Sequence, residues 1–256
     1  MTNSLNSELY ELLEENYQKY HRPAFIDEDP ISIPHHFSKK EDIEIAAFLV
    51  AIISWGQRKT ILKNGHRLIQ LMDHSPRDFI MQHKENDLKS IKNFVHRTFN
   101  SIDLAFFFRR LQQIYLKEGG LESLFCGNKN SGIKDKISAF KVNFFTGTAP
   151  QRTKKHIANP NAGSSAKRLN MFLRWMVRTD AAGVDFKLWK SISPKELMLP
   201  LDVHTAKVGR SLGLLQRKQN DWRAVEEITE NLRKFDSEDP VKYDFALFGL
   251  GVNKTI

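Results

Sequence analysis

Between Ser193 and Gly249 the chain reads SPKE at 193–196, DVHTAKVGRSLG at 202–213, DWRAVEEITENLRKF at 221–235 and DPVKYDFALFG at 239–249. Each segment opens on Ser or Asp, whose side-chain oxygen accepts hydrogen bonds from the free amides of a helix's first turn. Ser193 and Glu196 have the spacing of a capping box, and Pro194 and Pro240 stand where a missing N–H is harmless. Four capped helix starts in one short stretch predict an all-α fold.

The same pattern continues outward. KRLNMFLRWMVR (167–178) puts Leu169, Phe172, Leu173 and Met176 on one face, with Arg168, Arg174 and Arg178 toward the others. Ser38 to Glu41 spells another capping box, after Phe37, and opens a helix over 42–54 that is apolar nearly all round and therefore buried. Further helices are expected over 60–72, after Ser75-Pro76, and from Asn100-Ser101 to Gly119-Gly120. The stretch 127–165, rich in Gly, Pro, Asn and Ser, reads as loop with room for one short helix at 133–145. No strand alternation of useful length and no internal repeat stand beside these signals.

Composition narrows the function classes. Of 256 residues, 41% are hydrophobic and 27% charged, which fits a globular chain and excludes wholesale disorder. No apolar run reaches the ~18 residues of a membrane span, and the acidic N-terminal segment is the reverse of a secretory signal. The expected address is cytoplasmic. A lone Cys126 excludes an internal disulfide, a zinc ribbon and a four-cysteine iron–sulfur cluster. The nine His residues lack metal-ligand spacing, and no phosphate loop or dinucleotide fingerprint occurs, so no metal and no cofactor are expected.

The net charge is +9, and it is concentrated: 127–178 holds eleven Lys or Arg against Asp135 alone. A basic block in an otherwise balanced chain suits a phosphate backbone or another polyanion, and a solvated lysine-rich face is the plainer account. Asp202, after the apolar turn Leu199-Pro200-Leu201, is an N-cap that the helix dipole keeps ionised. Such a carboxylate either caps only, or stabilises a cationic centre at a cleft edge.

PLDVHTAKV (200–208) resembles the VDTHVxRV stretch of the helix-hairpin-helix–Gly/Pro/Asp superfamily of DNA glycosylases, with Asp202 on the catalytic aspartate and His204 on its histidine. Gly163-Ser164-Ser165-Ala166-Lys167 resembles the end of that family's hairpin, GxGxKTA, although the second glycine and a leading Leu-Pro-Gly are missing. Lys167 falls on the Schiff-base lysine of bifunctional members, or serves as an ordinary phosphate-contacting lysine. Ser54-Trp55-Gly56-Gln57 is similar to the segment closing the first barrel helix. The 35-residue interval from Lys167 to Asp202 resembles that of archaeal 8-oxoguanine glycosylases. Over 167–178, 200–214 and 241–251 the chain resembles, more closely, a bacterial family known only as a domain of unknown function and regarded as a remote relative of these enzymes.

The resemblance implies a glycosylase-type fold of two helical lobes with a cleft between them. A barrel lobe would span 42–163, and 1–41 would join 164–256 in the second. It implies a partner, duplex DNA with a damaged base or abasic site. Asp202 and Lys167 would be catalytic. Gly163, Ser164, Ser165, Arg168, Lys154, Lys155, Arg174, Gln57 and Arg58 would contact DNA, with Trp55 and His204 at the base pocket. Trp55 reads equally well as packing, and Phe107, Phe108 and Phe172 read as core. The rival expectations are a non-catalytic nucleic-acid-binding module and a protein whose basic face meets an acidic partner.

Overall fold

The computed structural model describes residues 2–126, 131–179 and 181–252, so Lys129 of the basic block lies outside the described residues. In chain order the elements are α1 (Thr2–Tyr20), α2 (Lys40–Ile53), α3 (Arg58–Leu71), α4 (Pro76–Gln82), and a hairpin of β1 (Val95–His96) with β2 (Phe99–Asn100). There follow α5 (Ser101–Lys117), α6 (Leu121–Cys126), α7 (Ile133–Phe144), α8 (Lys167–Val177), α9 (Val203–Ser211), α10 (Trp222–Arg233) and α11 (Tyr243–Val252). The chain is mostly helical, as the caps require. Two units emerge: one joins 1–27 to 159–256, and the other spans 28–158.

In the second unit, α2 is buried from Ile43 to Ile53 without a break, as its all-round apolar sequence demands. Phe48 projects from it into a cluster with Phe107, Phe140 and Phe144, at ring-centroid distances of 6.0, 5.7 and 5.6 Å. Two acids are buried here with partners. Tyr115 donates to Glu44 at 2.8 Å, and Thr153 donates to Asp103 at 2.7 Å.

Two expected caps take other forms. No side chain caps α2, whose N-cap position is Lys39; Glu41 and Asp42 in the first turn complement the helix dipole instead. Asp42 also accepts from the Arg77 amide at 2.7 Å, satisfying an orphan donor of α4 that Ser75 was expected to serve. The short hairpin 95–100 was not legible as a strand pair, because two residues per strand carry no alternation.

In the first unit, α1 lies along α11, which also packs on α9. Gly249 permits the close approach: a Cβ there would stand 2.0 Å from the Tyr20 ring. Asp202 caps α9 and Asp221 caps α10, accepting from Thr205 and Ala224. Ser193-Pro194-Lys195-Glu196 yields only a 3-10 turn, Pro194–Glu196, since apolar Leu197, Leu199 and Leu201 immediately turn inward. Asp239 does not cap; its carboxylate goes to Arg178 instead.

Phe48 is fully buried. Phe48→Ala should therefore destabilise the protein by ~3–5 kcal/mol through lost burial plus a residual cavity. Val142, 70% exposed on α7, should change stability by less than ~0.5 kcal/mol as Val142→Ala. Urea denaturation of both variants checks the contrast.

Candidate functional site

Lys167 reaches Asp202 through a short, strained turn. Asn159 opens the 3-10 turn Pro160–Ala162, and Gly163 follows at φ +86°, a left-handed conformation that glycine adopts freely. The Gly163 carbonyl accepts from the Trp222 amide at 3.1 Å, and Ser164 bridges to Asp221, so α10 holds the turn in place. Ala166 is also left-handed, at φ +48°, a conformation costing an alanine ~1–2 kcal/mol. Ser164 Oγ, accepting from the Ala166 amide, and the Ser165 carbonyl, accepting from Asn170, hold it there. Lys167 then begins α8.

From that position Lys167 Nζ donates to Asp202 Oδ2 at 2.8 Å. The other oxygen of Asp202, Oδ1, accepts from the Thr205 amide at 2.9 Å. Burial favours the neutral acid. The Lys167 charge and hydrogen bond, the Thr205 amide and nearby His204 outweigh it, and together they hold the Asp202 pKa below its ordinary value. Both side chains remain in reach of solvent, at 36% exposure for Lys167 and 28% for Asp202. Val203 and His204 are exposed on the next two positions, and Val203 is 72% exposed, a bare apolar surface beside the ion pair.

Arg174 corrects the expectation of a DNA-facing charge. It is 4% exposed, donates to Asp244 Oδ2 at 2.5 Å, and places Nε 3.4 Å from Asp185. Around it on α8, Phe172, Leu173, Trp175 and Met176 are also buried. One turn on, Arg178 is 1% exposed and meets Asp185 at 3.1 Å and Asp239 at 2.8 Å; Tyr17 accepts from it at 2.7 Å. Burial opposes the Arg178 charge, yet Asp185 and Asp239 raise its pKa well above the ordinary value. Arg168 is half-buried, and burial pushes its pKa down to about 10. Gly163 and Ser164 are exposed, and Ser165 is half-buried.

The remaining candidates belong to the second unit. Lys155 is exposed and Lys154 half-buried on the turn Gln151–His156; burial and the charge of Lys154 lower the pKa of Lys141. Gln57 and Arg58 are exposed at the start of α3. Trp55 is half-buried, with the Arg97 guanidinium 4.8 Å from its ring centre and His96 Nε2 donating to its carbonyl at 3.1 Å. Arg97 therefore covers part of the indole that was nominated for a base pocket. A groove of about 720 Å³ in this unit runs past Phe106 and Arg109, and Arg109 is already doubly bonded to Glu85.

Sequence reading missed Asp244, Asp185 and Arg97. The signal for Asp244 was present, a single acid inside the apolar run YDFALFGLG. Asp185 and Arg97 sit in irregular segments that carry no periodicity.

Among the described residues, no group of three or more His, Cys, Asp or Glu is disposed to hold a metal ion, and no helix is long and apolar enough to cross a membrane. Residues 29–253 match a family described as "Protein of unknown function (DUF2400)". No curated protein and no solved structure matches the chain.

The two charged pairs should respond differently to mutation. Arg174→Ala leaves Asp244 and Asp185 facing a buried vacancy and should cost ~3–5 kcal/mol. Asp202→Asn retains a cap and loses only a part-exposed pair, so it should cost less than ~1 kcal/mol. Because the folded-state pKa of Asp202 is depressed, its contribution is present above pH ~4 and fades as pH falls below that. Asp202→Asn should flatten stability in that acid range, measured by thermal melts at successive pH values.

Proposed function

Because the chain belongs to the DUF2400 family of proteins of unknown function, we propose its activity from its own side chains: it binds duplex DNA and excises a damaged base as a DNA N-glycosylase, with abasic-site lyase activity through Lys167. The observation that carries this reading is the 2.8 Å contact between Lys167 Nζ and Asp202 Oδ2, made across 35 residues of chain at the starts of two helices. An amine and a carboxylate so placed are the two groups base excision requires, provided the target nucleotide is extruded from the duplex.

The chemistry follows from the pair. The Lys167 ammonium gives up a proton to solvent while Asp202, its pKa lowered, stays a carboxylate, and the neutral amine attacks C1′ of the sugar. The C1′–N bond breaks as the new C–N bond forms, and the base leaves with its electron pair and takes up a proton. Opening of the sugar ring then leaves a Schiff base on Lys167. While positive charge builds on the sugar, a carboxylate beside it lowers the barrier. In the first unit Gly163, Ser164 and Ser165 would contact DNA, with His204 as a base-pocket residue; the second unit, taken by itself, offers Lys154, Lys155, Gln57 and Arg58 as DNA contacts and Trp55 as a base-pocket residue. Arg168 contributes charge from a half-buried position, and Arg174 is withdrawn from the proposed surface.

One observation favours a second reading, a non-catalytic nucleic-acid-binding module. Lys167 and Asp202 satisfy each other's charge, which is also what a purely structural bridge does.

Borohydride trapping separates the two on duplexes carrying a panel of damaged bases and an abasic site. The enzyme should give a covalent adduct that Lys167→Gln abolishes while gel-shift binding persists. Asp202→Asn should slow base release by about 100-fold or more. Lys154→Ala with Lys155→Ala should reduce the log K against log salt slope by about two units. Salt-dependent binding with no base release and no adduct on any duplex would establish the module, and an unchanged salt slope would remove these lysines from the surface.

A further inference from the structure

The groove past Phe106 in the second unit is built by two elements that each present a row of side chains to it. Before the β-hairpin the chain makes a 3-10 helix, Asp87–Asn93, in which side chains three apart eclipse one another. The sequence DLKSIKN therefore separates into rows. Leu88 and Ile91 make a buried row, and Lys89 and Lys92 make an exposed one. The rise of such a helix sets the two lysines about 6 Å apart along its axis. On α5, Ile102, Phe106, Arg109 and Gln113 follow at i, i+4, i+7 and i+11, and so share one face. Both rows line the groove, together with Thr146 and Thr148 after α7.

The charges of the groove are uneven. Four cations line it, Lys89, Lys92, Arg109 and Arg110, against Glu85 alone. Glu85 accepts both hydrogen bonds of Arg109, at 2.7 and 2.6 Å. Arg110 is buried and donates to Glu118 and to the carbonyls of Asn143 and Phe144. Asp87, on the same 3-10 helix, accepts from the Lys84 amide and lines a different hollow. Lys89 and Lys92 have no hydrogen-bond or ion-pair partner among the described residues. Two ammoniums a fixed step apart thus face an anion that the fold does not supply. Beside them the groove is apolar. Phe106 is half-buried and backed by Phe145 in a near-parallel stack at 5.6 Å, and Ile102, one turn earlier, is 54% exposed.

We propose that this groove binds a short segment of single-stranded nucleic acid, with successive phosphates on Lys89 and Lys92 and a base stacked on Phe106.

Charge and shape together select this occupant. Phosphates recur along an extended single strand at a step close to that of the two lysines, and every base offers a flat face that an aromatic side chain accepts. The Thr146 and Thr148 hydroxyls suit further phosphate oxygens. A duplex keeps its bases stacked on one another and offers no face to Phe106. An acidic amphipathic helix fits less well, because Leu88 and Ile91 are already covered and leave only Ile102, Ala105 and Phe106 as apolar footing. The groove lies wholly within the second unit, so it neither uses nor requires the Lys167–Asp202 reading.

The test is fluorescence anisotropy of a labelled oligothymidylate of about twelve nucleotides with the full chain, over a potassium chloride series. The strand should bind, and Lys89→Ala with Lys92→Ala should reduce the log K against log salt slope by about 1.4 units. Both lysines are exposed, so these changes leave the fold intact. Phe106→Leu keeps an apolar packing residue and should lower affinity about tenfold with the slope unchanged. An abasic strand of the same length should bind the unaltered chain about tenfold more weakly and be indifferent to Phe106→Leu. Photocrosslinking of a strand carrying 5-iodouracil should mark the peptide that contains Phe106. Failure of the oligothymidylate to bind, an unchanged salt slope in the lysine variant, or a crosslink confined to other peptides overturns the proposal. An equal loss of duplex binding in the lysine variant overturns it too, as does a complex with an acidic amphipathic peptide that displaces the strand and depends on the same lysines. If Phe106→Leu folds poorly, the abasic strand decides the stacking, and equal binding of the two strands overturns it. Absence of base excision on every duplex would refute the glycosylase reading alone and leave the groove as proposed.

Discussion

Two guanidiniums one turn apart, those of Arg174 on α8 and Arg178 at its C-cap, are enclosed in the first unit, and much of that unit is arranged to receive them. Withdrawing such a group from water costs several kcal/mol unless carboxylates meet it at hydrogen-bonding distance. The carboxylates come from separate places: Asp185 from the segment after α8, Asp239 from the turn before α11, and Asp244 from α11 itself. Tyr17 of α1 and His21 just after it add a hydroxyl and an imidazole at Arg178. Arg174 also lies 4.5 Å from the Phe245 ring centre. The course of the chain between α8 and α9, the docking of α11 and the seat of α1 therefore answer one electrostatic demand.

How much of this was legible depended on whether the signal was local. Caps are local, so Asp202 and Asp221 announced α9 and α10, and unbroken apolar sequence announced a buried α2. Ser75 failed because a tertiary contact, Asp42 to the Arg77 amide, serves that helix start instead, and Ser38 failed because α2 begins one residue later, with Lys39 at the N-cap position. At α8 the three arginines looked alike in sequence, each off the apolar face. Arg174 went inside because acids from remote segments make its burial affordable, and no window of sequence around α8 contains those acids. The long, largely polar α1 was also passed over, since its partner α11 lies at the other end of the described chain.

The site shows the same division. Capping by Asp202 followed from its position before an apolar helix, whereas nomination of Lys167 needed a resemblance. Their contact depends on two left-handed residues, Gly163 and Ala166, and on the anchoring of that turn to α10. A glycine advertises such a turn. An alanine in the same conformation does not, and Ser164 Oγ, which steadies it, looks like any other loop hydroxyl.

The pairing of α1 with α11 also bears on how the protein is made. Glu14 on α1 receives the Tyr243 hydroxyl at 2.7 Å and lies 2.8 Å from Lys242, more than two hundred residues later. On the ribosome α1 emerges well before α11, so it spends the intervening synthesis without the surface it belongs to. The unit at 28–158 has all its own segments in hand much sooner, and contiguous domains fold as they appear. Closing the discontinuous unit is thus a late, high-contact-order event that waits for α11 to emerge. Until then Leu13, fully buried in the folded protein, is exposed to any chaperone or neighbouring nascent chain that meets it.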